Sequence, residues 1–273
     1  MIQTIKRYAR LYKVLIAQFF KVILQSKVDF LIGLLGFFFT QILGIAFLYL
    51  VFQQIPSLKG WSLEQLIFIY GFAQIPRGID HLFADNIWMV AWRLVISGDF
   101  DRYMLRPMNL FFQIISEKLQ PDAVGELLVG IILVMKGLFS GIVIVDGVHI
   151  VLFLVSILAG AVIYTSVKLF FASFSFWVKI SAPFLQVAYE LSDFAKYPTE
   201  IYARAIRFVI TWVIPFAFVA FFPASYFLGC RDNLGWDGGF AVIGMECLIA
   251  VLWFGIAYKL FQKGTQIYES AGN

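Results

Sequence analysis

"FLIGLLGFFFTQILGIAFLYLVF", residues 30–52, runs for twenty-three residues without a charge. The hydrocarbon core of a bilayer takes about 20 residues of helix, so this stretch reads as a complete transmembrane span. It is too long for the core of a signal peptide and has no small-residue cleavage site behind it, so it should stay as the first span. The rest of the chain agrees. Of 273 residues, 61% are hydrophobic and only 14% are charged, with a mean hydropathy of +0.86, whereas soluble domains carry about a quarter charged residues. The expected fold class is an all-α integral membrane protein, with residues 1–273 forming a single transmembrane domain. The length accommodates roughly six spans with connectors and leaves no separate soluble domain.

Upstream, residues 1–27 repeat Ile5, Tyr8, Tyr12, Ile16, Phe19 and Ile23 at spacings of three and four, with Lys6, Arg10, Lys13 and Lys21 between them. That pattern predicts an amphipathic helix lying in the membrane interface. Downstream, Pro56 and Gly60 mark a turn, and a second apolar region runs from about Ser62 to Val90. Further spans are expected at about 123–144, 150–171, 208–228 and 240–261. Between the fourth and fifth, the lysines, arginines and prolines of residues 173–208 suggest a mostly water-facing segment.

Lys and Arg in short loops orient such a chain. With the N-terminus inside, fifteen of them, from Lys6 to Lys263 and including Arg93, Arg102 and Arg106, fall on one side, against Lys59, Lys136 and Arg231 on the other. Both termini are therefore expected in the cytoplasm of a multi-pass plasma-membrane protein. The net charge of +4 reads as cationic loops facing anionic lipid, and no basic patch with interleaved aromatics suggests a nucleic-acid partner. Two cysteines, Cys230 and Cys247, support no disulfide framework.

Catalysis finds no footing in the motifs. His81 and His149 are expected near opposite faces, no zinc-ligand spacing is present, and there is neither a G-x-S-x-G turn nor H-E-x-x-H. A phosphate loop requires a Gly-Lys dipeptide, and the chain has none. The expectation is a non-catalytic subunit with no metal and no cofactor of its own. Charges within spans by default mark a functional path. The candidates are Arg77, Asp80, His81 and Asp85 in the second span and Glu246 in the sixth; Glu126 and Lys136 of the third span are expected near its inner and outer interfaces. Arg77 with Asp80, and His81 with Asp85, share helix faces by spacing and can neutralise each other; the plainer alternative places them at an interface beside Trp88 and Trp92. For Glu246 the alternatives are a cavity or subunit interface and a paired structural role. Gly33 and Gly36, or Gly125 and Gly130, offer close helix packing.

Between the second and third spans, "RLVISGDFDRYMLRPMN" (93–109) places five charges, a Gly and a Pro among apolar runs. Gly98, Asp101 and Leu105 follow at spacings of three and four, with Pro107 two residues on; later come Tyr197-Pro198, Val213-Ile214-Pro215 and Phe222-Pro223-Ala224. With the amphipathic N-terminal helix and six spans, this order of features resembles the ABC-2 type transporter permeases. The resemblance covers essentially the whole chain. It implies an exporter permease working as a homo- or heterodimer with a separate ABC ATPase that holds ATP and Mg2+. It also implies that residues 93–107 are the coupling helix. In that reading Leu94, Val95, Phe100 and Tyr103 are apolar anchors in the ATPase groove. Asp99, Asp101, Arg102 and Arg106 form the charged rim, Gly98 allows a bend, and Pro107 ends the element. The alternatives are a loop holding lipid headgroups and, for the whole chain, an ATP-independent secondary transporter or channel.

Overall fold

The computed structural model describes residues 27–230 and 238–270, with Ala17 and Lys21. The amphipathic helix expected at 1–27 therefore lies almost wholly outside the described residues. Among those described, every named element is a helix or helical turn.

The opening stretch forms α1, Lys27–Gln54. It is apolar all round, yet Leu35, Phe39 and Phe47 are exposed, the pattern of a helix whose partner is lipid. One polar side chain, Gln41, faces inward, where Tyr70 and Gln74 donate hydrogen bonds to its Oε1, the second at 2.8 Å. After a tight turn with Gly60 at φ +90°, α2 (Leu63–Ala84) begins with a reciprocal cap in which Ser62 and Gln65 satisfy each other's backbone N–H.

A short helix, α3 (Ile87–Met89), runs into a π turn at Val90–Leu94, and two short helices follow, α4 (Asp101–Met104) and α5 (Leu110–Glu117). The long α6 (Ala123–Phe139) and α7 (Gly147–Ser173) come next. α7 is capped by Asp146, which accepts from the His149 backbone N–H; that bond holds the Asp146 carboxyl below its ordinary range. The chain continues through α8 (Ser175–Val178), α9 (Ala182–Glu190) and 3-10 turns at Leu191–Lys196 and Thr199–Ile201. α10 (Arg204–Phe208), α11 (Phe221–Phe227) and the long α12 (Gly239–Ile267) complete it.

Three of these are long and apolar enough to cross a membrane: Phe30–Gln54, Gly147–Val178 and Gly239–Ile267. A fourth crossing results if the pair Arg204–Val213 and Phe216–Phe227, bent by 73°, is one span. The break falls at Ile214, extended at φ −127°, ψ 96°, where the ring of Pro215 disfavours the helical conformation of the residue before it. The remaining predicted spans form α2 and α6, packed lengthwise on each other. That contact depends on absent side chains. A Cβ on Gly71 would lie 2.5 Å from Leu133 Cβ, and one on Gly130 would lie 2.7 Å from Ile75 Cγ1. Gly125 likewise admits Phe37 of α1, whereas Gly36 faces open space.

Within residues 173–208, Ser181, Leu185, Ala188, Ser192, Ala195 and Thr199 are buried, carried on α9 and the turns after it against α2 and α7. Their spacing of four and three is itself the helical period.

Candidate functional site

Two regions hold the residues singled out above. The first is the segment from α3 to α5. The Leu94 carbonyl accepts from Phe100 N–H at 3.0 Å, Gly98 turns the chain at φ +75°, and the Asn109 side chain caps α5 by accepting from Phe112 N–H. The closed loop that results points its apolar side chains inward. Leu94, Val95, Phe100 and Tyr103 are buried, Phe100 completely, in a cluster of their own. The Phe100 ring meets Phe176 and Tyr268 edge-on, both at 5.1 Å. The Tyr103 hydroxyl donates to Glu117, which also pairs with Arg102 at 3.1 Å. Ser270 donates to Asp101. Burial and the nearby Asp101 carboxylate push the Tyr268 phenol up to about 12.

The anchor roles expected for Leu94, Val95, Phe100 and Tyr103 are thereby corrected: these side chains fill the chain's own core and are not presented to another protein. An aromatic pair with Phe176 and Phe261 within reach buries more apolar surface folded inward than left facing water. The exposed apolar side chains of the segment are instead Met89, Trp92, Ile96, Met104 and Leu105, the last 86% exposed. Among the rim residues Arg102 and Arg106 are exposed, Asp99 and Asp101 half-buried, and Asp99 pairs with Arg93 at 3.3 Å.

The second region is a charged layer inside the bundle. Arg77 and Asp80 do not neutralise each other, nor do His81 and Asp85. Each has turned to a different element. Arg77 reaches Glu126 of α6 at 3.6 Å and Asp193 at 2.7 Å, and lies over the Tyr189 ring. His81 lies 3.5 Å from Glu126 and 3.9 Å from Asp122. Asp80 meets Lys168 of α7 at 2.8 Å and accepts from Thr165 at 2.8 Å. Asp85 meets the same ammonium at 3.2 Å and accepts from Gln120 at 3.2 Å. Lys196 closes the chain of contacts on Asp193 at 2.7 Å.

Sequence reasoning missed Lys168, Glu126's part in the layer, Asp193 and Lys196. Lys168 was the findable one, a lone cation within the apolar run of the fourth span. Glu246 lies elsewhere: Ser156 of α7 donates to it at 2.6 Å, nine residues before Thr165, hence about 13 Å away along the helix. Its other oxygen is buried without a hydrogen-bond partner. Among the described residues no three His, Cys, Asp or Glu side chains could hold a metal. The arrangement binds helices together.

A family model described as "ABC-2 family transporter protein" matches residues 38–272. No curated protein matches the chain.

Proposed function

This chain belongs to the ABC-2 transporter family, and on that premise we propose that it is the membrane subunit of an exporter driven by a separate ABC ATPase. ATP and Mg2+ are held in that partner, and the chain works as a dimer with a second copy or a related permease. In this reading the bundle crosses the plasma membrane six times with both termini in the cytoplasm. α2, α6 and the bent α10–α11 pair count as spans beside the three long helices.

The observation that carries the proposal is the shape of the α3–α5 segment. It is braced by its own aromatic core and carries an outward face of Ile96, Met104 and Leu105 flanked by Arg93 and Arg106. An apolar centre with a charged rim is the anatomy of a protein-docking surface. A headgroup-binding loop would instead depend on its arginines together. Because the segment also grips α12 through Phe261 and the residues just after it through Tyr268 and Ser270, a push from the ATPase would reach the spans directly.

Affinity purification of the ABC ATPase on tagged variants of the chain tests this. Leu105→Ala should weaken association by about 2 kcal/mol, the value of one buried leucine. Replacing Arg93 and Arg106 by Gln should weaken it in a salt-dependent way. Wild-type recovery by Leu105→Asp would overturn the docking assignment, and robust transport by the purified chain without any ATPase would favour an ATP-independent transporter.

A further inference from the structure

α6 and α7 are consecutive, yet they do not pack on each other. Each leans on α2 instead. Between them is a cleft of about 330 Å³, within the size range of small-molecule sites. Its back wall is Phe68 and Ile75 of α2 with Phe227 of α11. All but one of its lining residues are apolar, the exception being His149 at the end where α7 begins. There the His149 Nε2 lies 2.9 Å from the Tyr226 hydroxyl and its Nδ1 lies 2.8 Å from Asp146 Oδ1.

The mouth of the cleft opens sideways. Ile131, Met135, Ile144, Ile150 and Leu154 are lining residues that are also exposed. They continue into the exposed face of α6, apolar but for Lys136, and into the exposed apolar face of α7, both of which in a multi-pass membrane protein meet lipid. The walls decide what can enter. An irregular polypeptide segment would bury backbone N–H and C=O groups against a surface with no partner for them, at several kcal/mol each. A helix, about 10 Å across, is too wide for such a volume. A hydrocarbon chain has neither problem.

We propose that this cleft is a binding site for one acyl chain of a bilayer phospholipid, with the polar end of the lipid at His149 and Asp146. The occupied cleft would fill the wedge between α6 and α7 and buttress Phe227, at the end of the broken α10–α11 segment. The inference rests on the chain being a membrane protein and not on its having an ATPase.

The test uses the purified full chain in phosphatidylcholine vesicles doped with phosphatidylcholine that carries a photoreactive diazirine on its acyl chain. Crosslinks are mapped by peptide mass spectrometry. Labelling of residues 131–138 and 143–154 should exceed that of the exposed apolar faces of α1 and α12 by about tenfold, equivalent to about 1.4 kcal/mol of preference. Met135→Trp and Ile150→Trp place bulk at the rim without touching the core, and each should bring cleft labelling down to the level of those faces. Leu158→Trp, exposed on α7 but outside the cleft, should leave it unchanged. Labelling no higher than on α1 and α12, labelling indifferent to both rim tryptophans, or a crosslink joining the cleft to a second copy of the chain would each overturn the proposal.

Discussion

Lys168 has no accessible surface, and its ammonium touches two carboxylates from another helix, Asp80 and Asp85. A buried pair of this kind adds little beyond what an apolar packing would, but removing one partner leaves a charge enclosed in a poor medium for it. Lys168→Met should therefore destabilise the chain by about 3–5 kcal/mol, read as early loss of the monodisperse peak on heating in detergent. Asp80→Asn combined with Lys168→Met should recover part of that loss, and its failure to do so would mean the two do not act as a pair. Glu246 makes the complementary case. Its described partner is a neutral hydroxyl, so Glu246→Gln, which keeps the shape and the acceptor, should be tolerated, while Ser156→Ala should cost about 1 kcal/mol in the same melting assay.

At the scale of the element, α2 and α6 approach as closely as four glycines, Gly71, Gly78, Gly130 and Gly137, permit. Gly130→Val would drive a side chain against Ile75 and the Gly71 carbonyl, and overpacking of that sort costs about 1–3 kcal/mol. Gly36→Val, where nothing lies within 4 Å, is the matched control and should melt like the parent chain. The start of α7 behaves differently because its cap is titratable. The Asp146 carboxyl is held below its ordinary range by the His149 N–H, so its contribution is present above the unfolded aspartate pKa and is lost as pH falls through the folded value. The protection of the His149 amide against exchange, taken relative to the intrinsic rate at each pH, should fall towards acid in the parent chain, and in Asp146→Ala it should be low at every pH.

Across the whole molecule, the α3–α5 segment separates folding from docking. Phe100→Ala empties a site shared with Phe176, Phe261 and Tyr268, and an aromatic lost from such a core costs about 3–5 kcal/mol. That variant should fail as a fold. Leu105→Ala should keep the parent melting temperature while losing ATPase recovery. If the two variants behaved alike in both assays, the division between inward core and outward face would be wrong. Topology is tested on the same scale, by labelling single cysteines at Lys59 and Arg106 in sealed cells: Lys59→Cys should react from outside, Arg106→Cys only after the membrane is opened.

What the sequence determined by itself was the solvent. Twenty-three uncharged residues at 30–52, together with the apolar runs near 150–171 and 240–261, require helices in lipid, because hydrophobicity and the backbone's need for internal hydrogen bonds act locally. The order of the amphipathic start, the spans, the Gly98, Asp101, Leu105 and Pro107 element and the later Pro198, Pro215 and Pro223 motifs was enough to suggest the family. The buried stripe Ser181, Leu185, Ala188, Ser192, Ala195, Thr199 was also written in the sequence, but in small and polar residues whose burial is recognised only when α2 and α7 are seen to cover them. Only the tertiary structure decided the direction in which Phe100 and Tyr103 point, and the partners of Arg77, Asp80, His81 and Asp85. A side chain within one turn of another can pair with it, but it pairs instead with whichever opposite charge the packing of other helices brings nearer. Lys168, at a sequence distance of 88 residues from Asp80, becomes its neighbour only once α7 has crossed α2.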